Sequence, residues 1–454
     1  MASTKRKETL ARARAWMANL QVDVPIAPEY GNENLRVDLA SVRGRSAAGR
    51  LAGTIATAAE TQHTCQLLTG FSGSGKSTEL YALRQLLQAD GYRVHYLDVD
   101  DYIAQGDPLE PDDVLLALGA ALYDANLGRH LFREYLGRVW NVLNARISVP
   151  GAEAGAELGV GGAAKAEATF SVAFQQDPEL LSEIKEAVRK ERGSVLKAVK
   201  RMVTLLQQGA AGRVVLLVDS LEHASPRSGD LGPWAEQLRQ TVIEDGSLQQ
   251  LPIHVVYTVS PLILTFVQGA GQGYSGELRM VPAVRVVDHD GTEHTEGVDR
   301  LVEVLKKRIP LDEVFAGGEA DARTAVRASG GYLRDLFRLT REAILEGLDG
   351  DGEGAYPIPS QRLEGVVDRL ASQTANALTV ENCAILSRVV AKPAPLIPSE
   401  SERRLLYELY REPLLLRYLN DEYADLAHPF VLHTLDPKEY RRRVFPEGRF
   451  RAAS

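Results

Sequence analysis

The stretch Gly70-Phe71-Ser72-Gly73-Ser74-Gly75-Lys76-Ser77-Thr78 narrows the choice of fold more than any other part of this chain. The apolar run Gln66-Leu67-Leu68-Thr69 precedes it, and Leu80, Leu83, Leu86 and Leu87 follow at helical spacing. Buried strand, glycine-rich turn and helix start are the order in which a phosphate-binding loop is built. Several backbone N–H groups must meet the phosphate oxygens at once, which needs the tight turn that Gly70, Gly73 and Gly75 permit. A helix opening near Lys76 adds unpaired N–H groups and its positive dipole end. Lys76 then puts an ammonium on the β- and γ-phosphates, and the Ser77 hydroxyl is a ligand for Mg²⁺. Ser72, Ser74 and Thr78 belong to the same binding stretch. The competing reading, a glycine-rich turn with an incidental lysine, leaves the flanking strand and helix unexplained.

Such a loop needs a second, acidic ligand at the end of a neighbouring buried strand. Val214-Val215-Leu216-Leu217-Val218 is that strand, and it runs into Asp219-Ser220-Leu221-Glu222. Asp219 is the expected Mg²⁺ ligand, acting through water, and Glu222 is placed to orient or deprotonate an attacking water. The alternatives are a strand-to-loop cap for Asp219 and an ordinary surface carboxylate for Glu222. A third apolar run, Ile253-His254-Val255-Val256-Tyr257, ends in Thr258-Val259-Ser260-Pro261. Ligands of parallel sheets collect at the carboxyl ends of the strands, which makes Thr258 or Ser260 a candidate partner of the terminal phosphate or the water. A structural role for either is equally compatible with the sequence.

Together these residues resemble the AAA+ and STAND groups of P-loop ATPases, over roughly Leu35 to Ala343. The resemblance implies a parallel-sheet ATPase core followed by a helical lid. It also implies that Leu35 to Ile55 folds over the adenine. In that group a lid helix begins with a small-residue turn and carries an arginine that senses the γ-phosphate. Ser329-Gly330-Gly331-Tyr332-Leu333-Arg334-Asp335-Leu336 matches that pattern and makes Arg334 the sensor; a helix-surface salt bridge is the plainer account. Gly75-Lys76-Ser77-Thr78-Glu79-Leu80, Gly91-Tyr92-Arg93-Val94 and Leu97-Asp98-Val99-Asp100-Asp101-Tyr102 look like a bacterial branch linked to conflict and defence systems. One departure matters: Ser220 stands where the usual catalytic glutamate directly follows the aspartate. The next acid, Glu222, gives the Asp-x-x-acid form of STAND-like and initiator-like ATPases, which implies slow hydrolysis and use of nucleotide as a switch. Arg279, Arg285 and Arg308 are the candidates for an arginine finger, or else surface residues.

Composition bounds the rest. Hydrophobic residues at 44% and charged residues at 25% describe a globular chain rather than a disordered or fibrous one. A net charge of -9 opposes a constitutive grip on nucleic acid. No apolar run is long enough to cross a membrane, the basic start lacks a secretory core, and Cys65 and Cys383 read as free thiols of a cytosolic protein. The organisation expected is a helical lead-in (1–50), an ATPase core (51–289) with an insertion at about 126–208, a helical lid (290–375) and a C-terminal module (376–454). Within the insertion, Ala166, Ala168, Phe170, Val172 and Phe174 alternate as in a half-buried strand, and Gly161-Gly162 offers a hairpin turn. Asp177-Pro178 then opens a helix whose stripe is Leu181, Ile184, Val188, Val195, Val199, Met202 and Leu206. This is a partner-binding arm or an elaboration packed on its own core.

The acidic stretch 349–354 reads as a solvated loop, and Asp288 to His294 as a hairpin turn despite its metal-ligand residue types. After the stiff connector 392–398, a helix from Ser401 to Tyr410 and strands Leu414–Leu419 and Tyr423–Leu426 resemble the tail of a winged helix. Lys438, Arg441, Arg442, Arg443, Arg449 and Arg451 make the end locally basic, either a nucleic-acid contact or a solvated tail. The functional expectation is a Mg²⁺-dependent, slowly hydrolysing ATP switch in the cytoplasm. It would act on a separately encoded effector, in a setting such as anti-phage defence, and form a nucleotide-dependent homo-oligomer. The alternatives are a DNA-binding initiator or loader, and a nucleotide-binding scaffold that never turns over.

Overall fold

The computed structural model describes residues 2–59, 62–102, 110–124, 185–186, 188–208, 213–224, 231–266, 274–275, 278–288, 290–348, 356–391, 399–420 and 422–446. The Gly161-Gly162 hairpin, the Asp177-Pro178 cap, the 349–354 loop, the 392–398 connector, Arg449 and Arg451 lie outside them. The chain divides into two compact units. One comprises Met1–Ala47, Gly70–Tyr81 and Met280–Ser454; the other comprises Ala48–Thr69 and Ala82–Arg279.

A five-stranded sheet organises the second unit, with Gly70 of β1 and Met280–Val281 of β5 counted in the first: β1 (Cys65–Gly70), β2 (Arg93–Asp98), β3 (Val214–Asp219), β4 (His254–Val259) and β5 (Arg279–Val281), in the order β2-β3-β4-β1-β5. The β1–β4, β3–β4 and β2–β3 pairs are parallel. Strands β1, β3 and β4 are buried along their whole length, which is why they read as near-continuous apolar runs rather than as alternating ones. The register sets Leu68 opposite Thr258, Val218 opposite Tyr257 and Asp98 opposite Asp219. The chemistry-bearing carboxyl ends of β2, β3 and β4 therefore lie at the same end of the sheet.

Helices complete that unit, among them α2 (Ala47–Ala56, all but Ala47), the Ala82–Ala89 part of α3 (Lys76–Ala89), α4 (Pro111–Asp124), α5 (Arg192–Gln208) and α6 (Leu231–Leu238). On α3, Leu80, Leu83 and Leu87 are buried while Leu86 is 44% exposed, so the inward stripe is narrower than the leucine spacing implies. Helix α5 buries Val195, Val199 and Met202 as its period requires, with Val203 beside them. Each such side chain contributes about 2 kcal/mol, and a charge at Val199, 0% exposed, would break the packing.

The first unit starts with α1 (Ala2–Ala18) and continues with the helices α7 (Thr295–Lys306), α8 (Glu319–Ala328), α9 (Leu333–Leu348) and α10 (Ser360–Ala375). His294 caps α7, its Nδ1 accepting from Gly297 N at 3.1 Å. Asp288 N donates to Thr292 O at 2.9 Å and Val287 pairs with Glu293, so Asp288 and residues 290–294 belong to a turn and a cap. Helix α9 buries Leu336, Leu339 and Ala343 at intervals of three and four, with Thr340 and Ile344 beside them.

The end of the chain holds more helix than its sequence announces: α11 (Val380–Ala391), α12 (Arg403–Arg411), the antiparallel hairpin β6 (Leu415–Asn420) and β7 (Glu422–Ala427), then α13 (Pro429–Leu435) and α14 (Pro437–Val444). Asp436 caps α14 and Pro437 opens it, while Tyr440 and Val444 are buried. The arginines of this segment are engaged in ion pairs: Arg441 with Asp368 at 2.9 Å, and Arg442 and Arg443 with Glu439 at 2.7 and 2.5 Å. Residues 441–443 are thus part of a packed helix rather than a solvated tail.

Candidate functional site

The loop between β1 and α3 lies with the helical elements in the first unit. Gly73 and Gly75 adopt φ of +74° and +95°, where any side chain is strained. Gly73 is constrained twice over. A Cβ there would lie 2.5 Å from Arg334 Nε and 2.8 Å from Arg334 Cβ, so the sensor candidate at the start of α9 lies directly on the loop. Arg334 Nη2 also pairs with Asp23 at 2.8 Å. Lys76, 6% exposed, donates from Nζ to Gly70 O at 3.1 Å and Phe71 O at 3.3 Å. Ser77 is half-buried in the first turn of α3, and Thr78 Oγ1 accepts from Ile26 N at 3.2 Å. Ser74 is buried, its Oγ without a hydrogen-bond partner, whereas Ser72 is exposed.

Two further groups reach the loop that the motif does not name. Arg43, 6% exposed, donates from Nη2 to Ser74 O at 2.8 Å and lies 4.0 Å from Glu79. Burial lowers its pKa, and the Glu79 charge opposes that shift. Tyr332, 2% exposed, donates its hydroxyl to Ser72 O, and burial raises its pKa. Tyr332 sits in the turn that nominated Arg334, so a signal for it was present. Arg43 lies in the segment expected over the adenine, with nothing local to single it out. Phe71 packs at 5.3 Å against Tyr410 of α12.

In the second unit, Asp219 is 1% exposed with both carboxylate oxygens engaged: Ser220 N donates to Oδ1 at 2.9 Å and the Tyr96 hydroxyl of β2 donates to Oδ2. Ser220 has φ +74°, the only positive value at a non-glycine among the described residues. The backbone therefore turns sharply at the position that departs from the usual acid. Thr258, 0% exposed, donates from Oγ1 to Glu222 Oε2 at 2.6 Å. Ser260 Oγ instead accepts from Leu262 N at 3.2 Å, a turn cap. Of the two candidates at the end of β4, Thr258 meets Glu222.

The arginine-finger candidates are differently placed. Arg308 is 7% exposed, donates to Leu35 O at 3.1 Å and Val304 O at 2.9 Å, and stacks 4.8 Å over Phe337; burial lowers its pKa to about 10. It is an internal structural residue. Arg285 pairs with Asp288, and Arg279 is half-buried in β5. Among the described residues no group of three or more His, Cys, Asp and Glu side chains is placed to hold a metal ion. A Mg²⁺ held by a single carboxylate, a hydroxyl, water and substrate phosphates needs no such cage. Ser77, in the first unit, carries a hydroxyl and Asp219, in the second, a carboxylate, each a hard oxygen donor.

The fold is a phosphate-loop α/β fold. No family model matches the chain, and no curated protein matches it. Among solved structures it is similar to a Walker-type ATPase of Pyrococcus abyssi (15% identity, TM-score 0.38, covering 88% of this chain and 99% of that one). It is also similar to the ORC2 protein of Aeropyrum pernix, solved in ADPNP-ADP complexes (12%, 0.38, 89% and 94%). A third similar structure is Drosophila ORC bound to DNA (13%, 0.36, 94% and 92%). Among the described residues, no helix is long and apolar enough to cross a membrane.

Proposed function

We propose that this chain is a Mg²⁺-dependent ATPase of the AAA+ type in which a helical lid follows the state of the nucleotide. The observation that carries this reading is the placement of Arg334, on the first turn of α9, against Gly73 of the phosphate loop. Amides of residues 70–78 and the Lys76 ammonium hold the phosphate chain. Ser77 and Asp219 hold the magnesium ion, which when bound neutralises charge developing on the phosphates. Glu222, oriented by the Thr258 hydroxyl, positions the attacking water and takes its proton. Arg334 exchanges its exposed pairing with Asp23 for the γ-phosphate. Loss of that phosphate on hydrolysis shifts the lid population. Calorimetric titration with ATP and Mg²⁺ tests the reading: wild-type protein binds, and Arg334→Ala binds ADP normally but loses its preference for ATP. Equal ATP and ADP affinities in the wild type would refute the sensor role.

An initiator-type reading, in which the chain also contacts DNA, is favoured by the helix-and-hairpin arrangement of α12, β6 and β7. Since Arg441, Arg442 and Arg443 are paired with Asp368 and Glu439, the contact would fall to the hairpin and its flanks. Anisotropy of a labelled duplex, measured against salt with ADP and with ATP, tests it; no binding at low salt rejects it. A defence setting and a separately encoded effector find no supporting observation among the described residues.

A further inference from the structure

The phosphate loop is held from outside through its carbonyl oxygens. In a trans peptide the C=O and the following N–H point in opposite directions, so fixing one fixes the other. The Tyr332 hydroxyl donates to Ser72 O, and that peptide carries the N–H of Gly73. Arg43 Nη2 donates to Ser74 O at 2.8 Å, and that peptide carries the N–H of Gly75. Both glycines lie at positive φ, +74° and +95°, where a peptide plane without a side chain beside it turns most freely. The two peptides with most need of restraint are therefore the two gripped by buried donors, at 2% exposure for Tyr332 and 6% for Arg43. The grip comes from separate parts of the chain, the segment before α2 and the turn before α9. A cation on a carbonyl also polarises its amide and strengthens the opposite N–H as a donor.

We infer that Arg43 and Tyr332 are positioning residues that hold the Gly73 and Gly75 amides in phosphate-binding orientation, so that phosphate affinity depends on two side chains that never touch phosphate. The inference rests on the proposed ATP site and extends it to the groups that shape the loop. Tyr332→Phe removes one hydroxyl and keeps the ring. Arg43→Met removes the guanidinium, and Arg43→Lys restores a single donor.

The test is calorimetry on the full chain with ATP, inorganic tripolyphosphate and adenosine. Tyr332→Phe is expected to weaken ATP and tripolyphosphate alike by about fivefold, and Arg43→Met by about tenfold or more, the larger loss reflecting a charged donor. Arg43→Lys recovers part of the loss, and adenosine binding does not change. If Arg43→Met fails to fold, Tyr332→Phe decides the matter alone. Unchanged tripolyphosphate affinity in Tyr332→Phe, or an equal loss for adenosine, overturns the inference while wild-type ATP binding leaves the ATP site standing. A wild type that binds no ATP removes the site itself.

Discussion

On the proposed function, replacing Thr258 by Val is expected to separate the binding of nucleotide from its hydrolysis. The two side chains have nearly the same shape, and Thr258 is 0% exposed, so the substitution removes a hydroxyl and little else. The lost interaction is the 2.6 Å bond from Oγ1 to Glu222 Oε2, a hydroxyl donating to a carboxylate. Bonds of that kind contribute about 1.5–3 kcal/mol. If the bond serves to aim Glu222, most of that loss appears in the transition state, and turnover falls about 10- to 100-fold. ATP affinity stays within about twofold, because Thr258 makes no part of the phosphate loop. Glu222→Gln keeps an oxygen for Thr258 but loses the base and costs about 100-fold or more. The discriminating measurement is steady-state phosphate release from the double variant. A residue that acts only through Glu222 adds nothing once the carboxylate is gone, so the double variant matches Glu222→Gln. Multiplying losses, or a Thr258→Val enzyme at wild-type rate, would refute the assignment.

Other substitutions probe separate links. Lys76→Ala removes the loop's ammonium and is expected to weaken ATP by about 100-fold in calorimetry without lowering the melting temperature of the ligand-free protein. Gly331→Ala should cost about 3 kcal/mol in urea unfolding, because φ is +78° and a Cβ would lie 1.9 Å from Val284 O; a loss under about 1 kcal/mol contradicts that packing. His254 accepts from Thr64 N at 3.1 Å on Nδ1, and burial lowers its pKa to about 4, with the His63 charge adding to the shift. The unfolded chain binds that proton more readily, so stability is full above about pH 6.5 and declines as pH falls towards 4. The decline is about 2 kcal/mol once solvent screening is allowed for, and in His254→Gln the acid slope in denaturant midpoints should flatten. Ser220→Val should destabilise by about 2 kcal/mol, since a β-branched residue resists φ of +74° far more than serine. A neutral result there would mean that the turn relaxes.

Much of the fold can be read along the chain because its signals are contiguous. Strand β3 is an unbroken apolar run into an acid, and the loop of residues 70–78 sits between a buried strand and an amphipathic helix. The pairing at the chain's end was half legible. Glu439 stands three and four residues before Arg442 and Arg443, the spacing of helical ion pairs. A count of charges misses that spacing, and no local pattern shows that Arg441 meets Asp368. Helices α13 and α14 escaped because each is only two turns long and takes its stability from burying Phe430, Val431, Leu432, Tyr440 and Val444.

The groups that finish the site were hidden for a deeper reason. Tyr96 is one of several aromatic residues on the chain until β2 pairs with β3 and brings its hydroxyl to Asp219. Arg43 and Tyr332 bond to carbonyl oxygens of the main chain. Every residue has such an oxygen, so nothing in the identity of Ser72 or Ser74 marks it as an acceptor. A motif records which side chains a loop needs, and its glycines record where the backbone must turn. What then keeps those freely turning peptides in one orientation must come from elsewhere in the chain, as donors of whatever residue type can reach. The loop's residue types are therefore legible at residues 70–78, whereas the donors that meet its carbonyl oxygens come from residues that only the folded chain brings there.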